Sequence, residues 1–108
     1  MAEQVFQNQR QNQRVASTLP IQLKFGTQIT IQGQLKDISA NSAFVKIKSS
    51  VYMAPQDELD FSILRSSNNE EFVQGTARIF RIAPGEGIAI YFTKMDDDST
   101  QKLRELIG

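Results

Sequence analysis

The chain has 108 residues, and its 12 basic and 12 acidic side chains cancel, so one domain with a single core is expected, hiding roughly 65% of the unfolded surface, and no global field draws it to nucleic acid or an acidic membrane. With no cysteine and no histidine, the sequence lacks disulfides, thiolate metal sites, a cysteine nucleophile and the commonest general base, and an enzyme is not expected.

Residues 1–17 read as a flexible N-terminal arm. They are mostly polar and contain two tandem Gln-Asn-Gln-Arg copies ending in Arg10 and Arg14. The start, Met1-Ala2-Glu3-Gln4, has neither the basic stretch nor the apolar run of a signal peptide. Charge is uneven along the chain: through Lys36 there are four basic residues (Arg10, Arg14, Lys24, Lys36) against Glu3 alone.

Residues 18–108 read as the folded unit. Ile21, Leu23 and Phe25 alternate with polar residues, and Gly26 marks a turn. Ile29, Ile31, Gly33 and Leu35 alternate next, then Ala43, Val45 and Ile47. A connecting loop over Tyr52–Asp57 leads to Leu59, Phe61 and Ile63. Ser66-Ser67-Asn68-Asn69 turns the chain into a long strand over 72–82, and Pro84-Gly85-Glu86-Gly87 turns it into Ile88, Ile90 and Phe92. Period-two alternation of this kind argues half-buried strands. Asp98 is expected as a helix N-cap with Gln101 at the capping-box position. Leu103, Leu106 and Ile107 form the apolar stripe of that C-terminal helix. Six short strands at close spacing imply a small antiparallel barrel with the helix packed on it. No apolar run approaches the ~20 residues that span a bilayer. The phenylalanines are spread over the strands and read mostly as core. Phe44 is out of phase with Val45 and Ile47, which places it on the outside.

Arginine suits phosphate because its planar fork donates paired hydrogen bonds and keeps its charge. The same fork matches the O6/N7 edge of guanine. On an extended arm Arg10 and Arg14 lie roughly 13 Å apart, and on a helix they share a face; either spacing reaches two parts of one dinucleotide. Asp37 and Ser39 end the strand that begins at Ile29, and strict period two puts them on one side, opposite Ile38. Read alone, Asp-x-Ser is an ordinary polar strand end. Arg78 and Arg81 are candidates for added charge, although strand-edge arginines are commonly solvated. Asp96-Asp97-Asp98 reads as a helix start favoured by the helix dipole, not as a metal site.

Arg10-x-x-x-Arg14 followed by Asp37-x-Ser39-x-x-Ser42 resembles the PilZ domain, whose signature is RxxxR and then D/NxSxxG. The resemblance runs from about Gln9 to the C-terminus. Val15 after the second arginine, Ala43-Phe44 after the second motif and Gly87-Ile88-Ala89-Ile90-Tyr91-Phe92, similar to the late GxGVxF strand, extend it. The resemblance implies a mainly β fold: a six-stranded PilZ-type barrel with a C-terminal helix and a flexible arm. It implies a bacterial, cytoplasmic receptor for cyclic di-GMP, with no other cofactor. Arg10 and Arg14 would bind phosphates and guanine edges, Asp37 and Ser39 would complete the purine pocket, and the arm would order on binding and signal to an effector protein.

Two positions depart from the pattern. Ser42 stands where the motif has glycine, and Gln9 where many relatives carry another arginine. If the glycine serves a left-handed backbone, serine costs roughly 1–2 kcal/mol there. If it serves close approach of the ligand, the Cβ and hydroxyl collide with a base. These departures define the alternative reading, a protein-docking adaptor on the same barrel that has lost nucleotide binding. A small oligonucleotide-binding barrel is disfavoured by zero net charge and few stacking residues, so no DNA or RNA partner is expected.

Overall fold

The computed structural model describes residues 13–48 and 53–108. Arg10, with the rest of residues 1–12, and Tyr52 lie outside the described residues. The strands are β1 (Val15–Ala16), β2 (Pro20–Phe25), β3 (Ile29–Ile38), β4 (Ser42–Lys46), β5 (Glu58–Leu64), β6 (Glu71–Ala83) and β7 (Gly87–Met95), followed by helix α1 (Asp97–Ile107). Neighbours run β3-β2-β5-β6-β7-β4, and β4 pairs back onto β3, so six antiparallel strands close a barrel. Strand β1 adds a two-residue pairing outside that closure, Val15 opposite Ile38 and Ala16 opposite Asp37.

Alternation fills the interior. Ile21 and Leu23 of β2, Leu35 of β3, Val45 of β4, Phe61 and Ile63 of β5, Val73 and Ile79 of β6, and Ile88 and Ile90 of β7 are buried. Each such side chain contributes ~1.5–3 kcal/mol over leaving it exposed. Closure brings β7 close to β4 at Gly87, where a Cβ would lie 2.0 Å from the Val45 carbonyl oxygen. Only glycine fits that approach.

Register shifts break the alternation at several points of the sheet, and two of them lie beside the candidate site. The first shifts register between Leu35 and Asp37 on β3. Leu35 and Ile38 both point inward, while exposed Lys36 and half-buried Asp37 face out between them. Strict period two would have put Asp37 on the face of Leu35, inside the core; the bulge turns it outward. The second shifts register between Ile79 and Arg81. Ile79 is buried while Phe80 and Arg81 are both exposed. Phe80 is thus an exception to the expected phenylalanine core, 46% exposed, whereas Phe61 is buried and Phe25, Phe72 and Phe92 pack against the core.

Helix α1 starts two residues earlier than the triplet of acids suggested. Asp96, not Asp98, is the N-cap, and its carboxylate accepts from the Ser99 backbone N–H at 2.8 Å. This start turns Ser99 inward, where its hydroxyl accepts from the Gln74 backbone N–H of β6 at 3.0 Å. One turn later it buries Leu103. Asp97 and Asp98 in the first turn and Arg104 in the last complement the helix dipole. No helix among the described residues is long and apolar enough to cross a membrane.

Candidate functional site

Arg14, Asp37, Ser39 and Ser42 meet at one end of β3. The pairing of β1 with β3 delivers Arg14, because it fixes Val15 and Ala16 beside Ile38 and Asp37. The Ser17 backbone N–H extends this contact by donating to the Lys36 carbonyl at 3.1 Å. Arg14 then donates from Nε (2.9 Å) and Nη2 (2.5 Å) to Oδ1 of Asp37, and from Nη1 to Oγ of Ser42 (2.6 Å). Three of the five guanidinium N–H groups are used in these bonds. The two charged side chains remain 41% and 31% exposed. An ion pair that open to water is worth at most ~1 kcal/mol, so an incoming anion competes readily for the arginine.

Ser39 does a different job. Its side chain is buried, and its Oγ accepts from the backbone N–H groups of Asn41 (3.3 Å) and Ser42 (3.1 Å). The Ser39 N–H in turn donates to the Ser42 carbonyl at 2.8 Å. Ser and Asn are suited to such local bonding, which here closes the tight turn between β3 and β4. The Asn41 carbonyl accepts from the Phe92 N–H at 2.8 Å, tying the turn to β7. Ser39 therefore shapes the platform that presents Ser42. The non-glycine residues with left-handed backbone are Gln56 and Asn69 among those described, so Ser42 is not one of them. The left-handed strain considered for this position does not arise.

Register extends the site across the barrel's outer face. Asp37 lies opposite Phe44, Phe44 opposite Ala89, and Ala89 opposite Arg81, forming one row over four strands. The Phe44 ring sits between two cations, with Lys36 Nζ 5.5 Å and the Arg81 guanidinium 5.8 Å from its centroid. In the next row Ser42 faces Tyr91, whose ring lies 6.0 Å from that of Phe80. Arg78, by contrast, is committed at 3.4 Å to Glu58. The face thus offers aromatic rings, three cations (Arg14, Lys36, Arg81) and one carboxylate, a composition suited to a flat anionic ligand. Tyr91 was readable in sequence as the out-of-phase member of Ile88, Ile90, Phe92. Phe80 was not, because a bulge brings it out.

A small closed antiparallel barrel with a C-terminal helix and an arginine held beside Asp-x-Ser at its rim defines a class of small β-barrel domain. The PilZ domain family model matches residues 8–108, and the chain belongs to that family. Among solved structures, the chain is similar to the Bacillus subtilis inhibitor of motility MotI/DgrA, at 16% identity and a TM-score of 0.74 over 91% of this chain and 48% of that one. The chain thus spans about half of that protein's length. It is similar to the PilZ domain of CeSA from a cellulose-synthesizing bacterium, at 23% identity and TM-score 0.66, covering 87% of this chain and 93% of that one. It is also similar to the PilZ domain of YcgR from Escherichia coli, solved with c-di-GMP, at 13% identity and TM-score 0.69, covering 91% and 88%. At these identities the superpositions show a shared fold and no more. A search of curated proteins finds no match.

Proposed function

We propose that this domain is a bacterial, cytoplasmic cyclic di-GMP receptor whose N-terminal arm, ahead of the docked strand β1, closes on the dinucleotide against the barrel and passes occupancy to an effector protein. The observation that carries the reading is the Arg14–Asp37–Ser42 cluster, which holds the second motif arginine in exchangeable bonds at the edge of a cationic, aromatic face. On binding, Arg14 turns its fork from Asp37 and Ser42 to a ligand phosphate, an exchange of one charge-assisted pair for another. Asp37, released, accepts from the N–H groups of a guanine edge. Arg10 supplies the second cation in this reading. Family membership and the YcgR domain solved with c-di-GMP support the ligand class.

The test is a calorimetric titration of the folded chain with cyclic di-GMP, with GMP as control. Saturable heat for cyclic di-GMP alone supports the reading; no heat at high micromolar ligand removes it. One observation favours a second reading, the nucleotide-independent adaptor: the Ser42 hydroxyl occupies an Arg14 donor in a place where the family motif has no side chain. An effector captured equally with and without cyclic di-GMP would favour that reading.

A further inference from the structure

The three aromatic rings on the outer face beside the site are not equivalent. Phe44 is already engaged, with Lys36 Nζ and the Arg81 guanidinium 5.5 Å and 5.8 Å from its centroid. Ala89, which pairs with both Phe44 and Arg81, points outward between them yet is only 4% exposed. Side chains therefore close over that row. Tyr91 stands in the neighbouring row. Ile90 and Phe92, on either side of it in β7, turn toward the core, so the Tyr91 ring stands on the outer face, half-buried. No cation lies over this ring among the described residues. Phe80 props it from β6, with ring centroids 6.0 Å apart and planes inclined by 43°. We infer that Tyr91 is the stacking platform for one purine base of the dinucleotide, a role that rests on the reading of this face as a cyclic di-GMP site.

Register carries the inference. Tyr91 pairs with Ser42, so their Cβ atoms lie roughly 5 Å apart. The Arg14 fork is bonded to Ser42 Oγ at 2.6 Å, which makes it a neighbour of the ring. The same fork bridges Ser42 to the Asp37 carboxylate. Tyr91, Ser42 and Asp37 thus follow one another across β7, β4 and β3, with the arginine joining the last two. An offset-stacked base needs a free ring face and a polar partner at its edge. A purine laid on Tyr91 projects its edge over Ser42 toward Asp37, and the phosphate of that nucleotide comes within reach of Arg14. Phe80 lies one strand further from Ser42 than Tyr91 does, so its part is to support the platform.

Calorimetry with cyclic di-GMP on wild type, Tyr91→Phe and Tyr91→Leu tests the assignment. Phenylalanine keeps the ring and should bind within about twofold of wild type. Leucine keeps apolar bulk but loses the ring, and should bind about tenfold more weakly, the effect of one lost stacking contact. Melting temperatures show whether the variants are folded. A second measurement leaves Tyr91 in place. The chain has 2 tyrosines, so in a Tyr52→Phe variant the ring signals of Tyr91 stand alone in an NMR spectrum, and a stacked base should move them upfield at saturation. Equal affinity of the leucine variant and wild type, or Tyr91 ring signals that do not move, would overturn the inference while leaving the receptor reading intact. No binding by folded wild type would remove both.

Discussion

Removing the Ser42 hydroxyl should tighten cyclic di-GMP binding. Arg14 Nη1 donates to Ser42 Oγ at 2.6 Å, and a ligand that recruits Arg14 must break that bond. Hydrogen bonds to charged groups contribute ~1.5–3 kcal/mol in general. Here the arginine is 41% exposed, so water replaces much of the loss and about 1 kcal/mol is the reasonable figure. Releasing that constraint raises affinity about fivefold, since ~1.4 kcal/mol is one decade. Two substitutions separate hydroxyl from Cβ. Ser42→Ala removes only the hydroxyl; Ser42→Gly removes both and adds backbone freedom in β4 that costs ~0.5–1 kcal/mol of stability. Calorimetry should find both variants about fivefold tighter than wild type, with the melting temperature lowered only for glycine. If glycine tightens binding and alanine does not, the Cβ itself is the obstruction. If alanine binds more weakly, Ser42 positions Arg14 for the ligand, and the argument from competition is wrong.

The architecture makes two further predictions. Gly87→Ala should cost about 3 kcal/mol or more of stability by overpacking, because its Cβ would lie 2.0 Å from the Val45 carbonyl oxygen; a denaturation midpoint near wild type would mean that β4 and β7 part without penalty. Asp96→Ala should lower stability by ~1 kcal/mol, a drop of about 4 °C in melting temperature. Asp98→Ala should do much less, and the reverse order in thermal melts would contradict the cap assignment.

The barrel was legible because its inner rows follow period two: Ile21 and Leu23, or Ile88 and Ile90, declare a buried face without help from the rest of the chain. Phe44 and Tyr91 were legible by the same logic, as residues out of phase with that face. The bulges were not. Period two gave no warning that Lys36 and Asp37 share the outside, or that Phe80 and Arg81 do, because a bulge depends on how two distant strands pair and not on local pattern. Asp37 came from motif spacing, and the register shift supplies its physical reason. The role of Ser39 was also hidden. A serine at a strand end reads by itself as an ordinary turn former, and the particular turn it closes shows only in the Asn41 and Ser42 N–H groups bonded to its hydroxyl. The helix start was misplaced by two residues because each of three adjacent aspartates can cap; the burial of Ser99 and Leu103 selects Asp96.

Parallel calorimetric titrations of wild type and Arg14→Ala with cyclic di-GMP test the central claim most directly. Arg14 forms an exposed ion pair with little bearing on stability, so both proteins should melt alike. Wild type should bind saturably and the variant not at all over the same range. Equal affinity in the two proteins, or no binding by folded wild type, would contradict it.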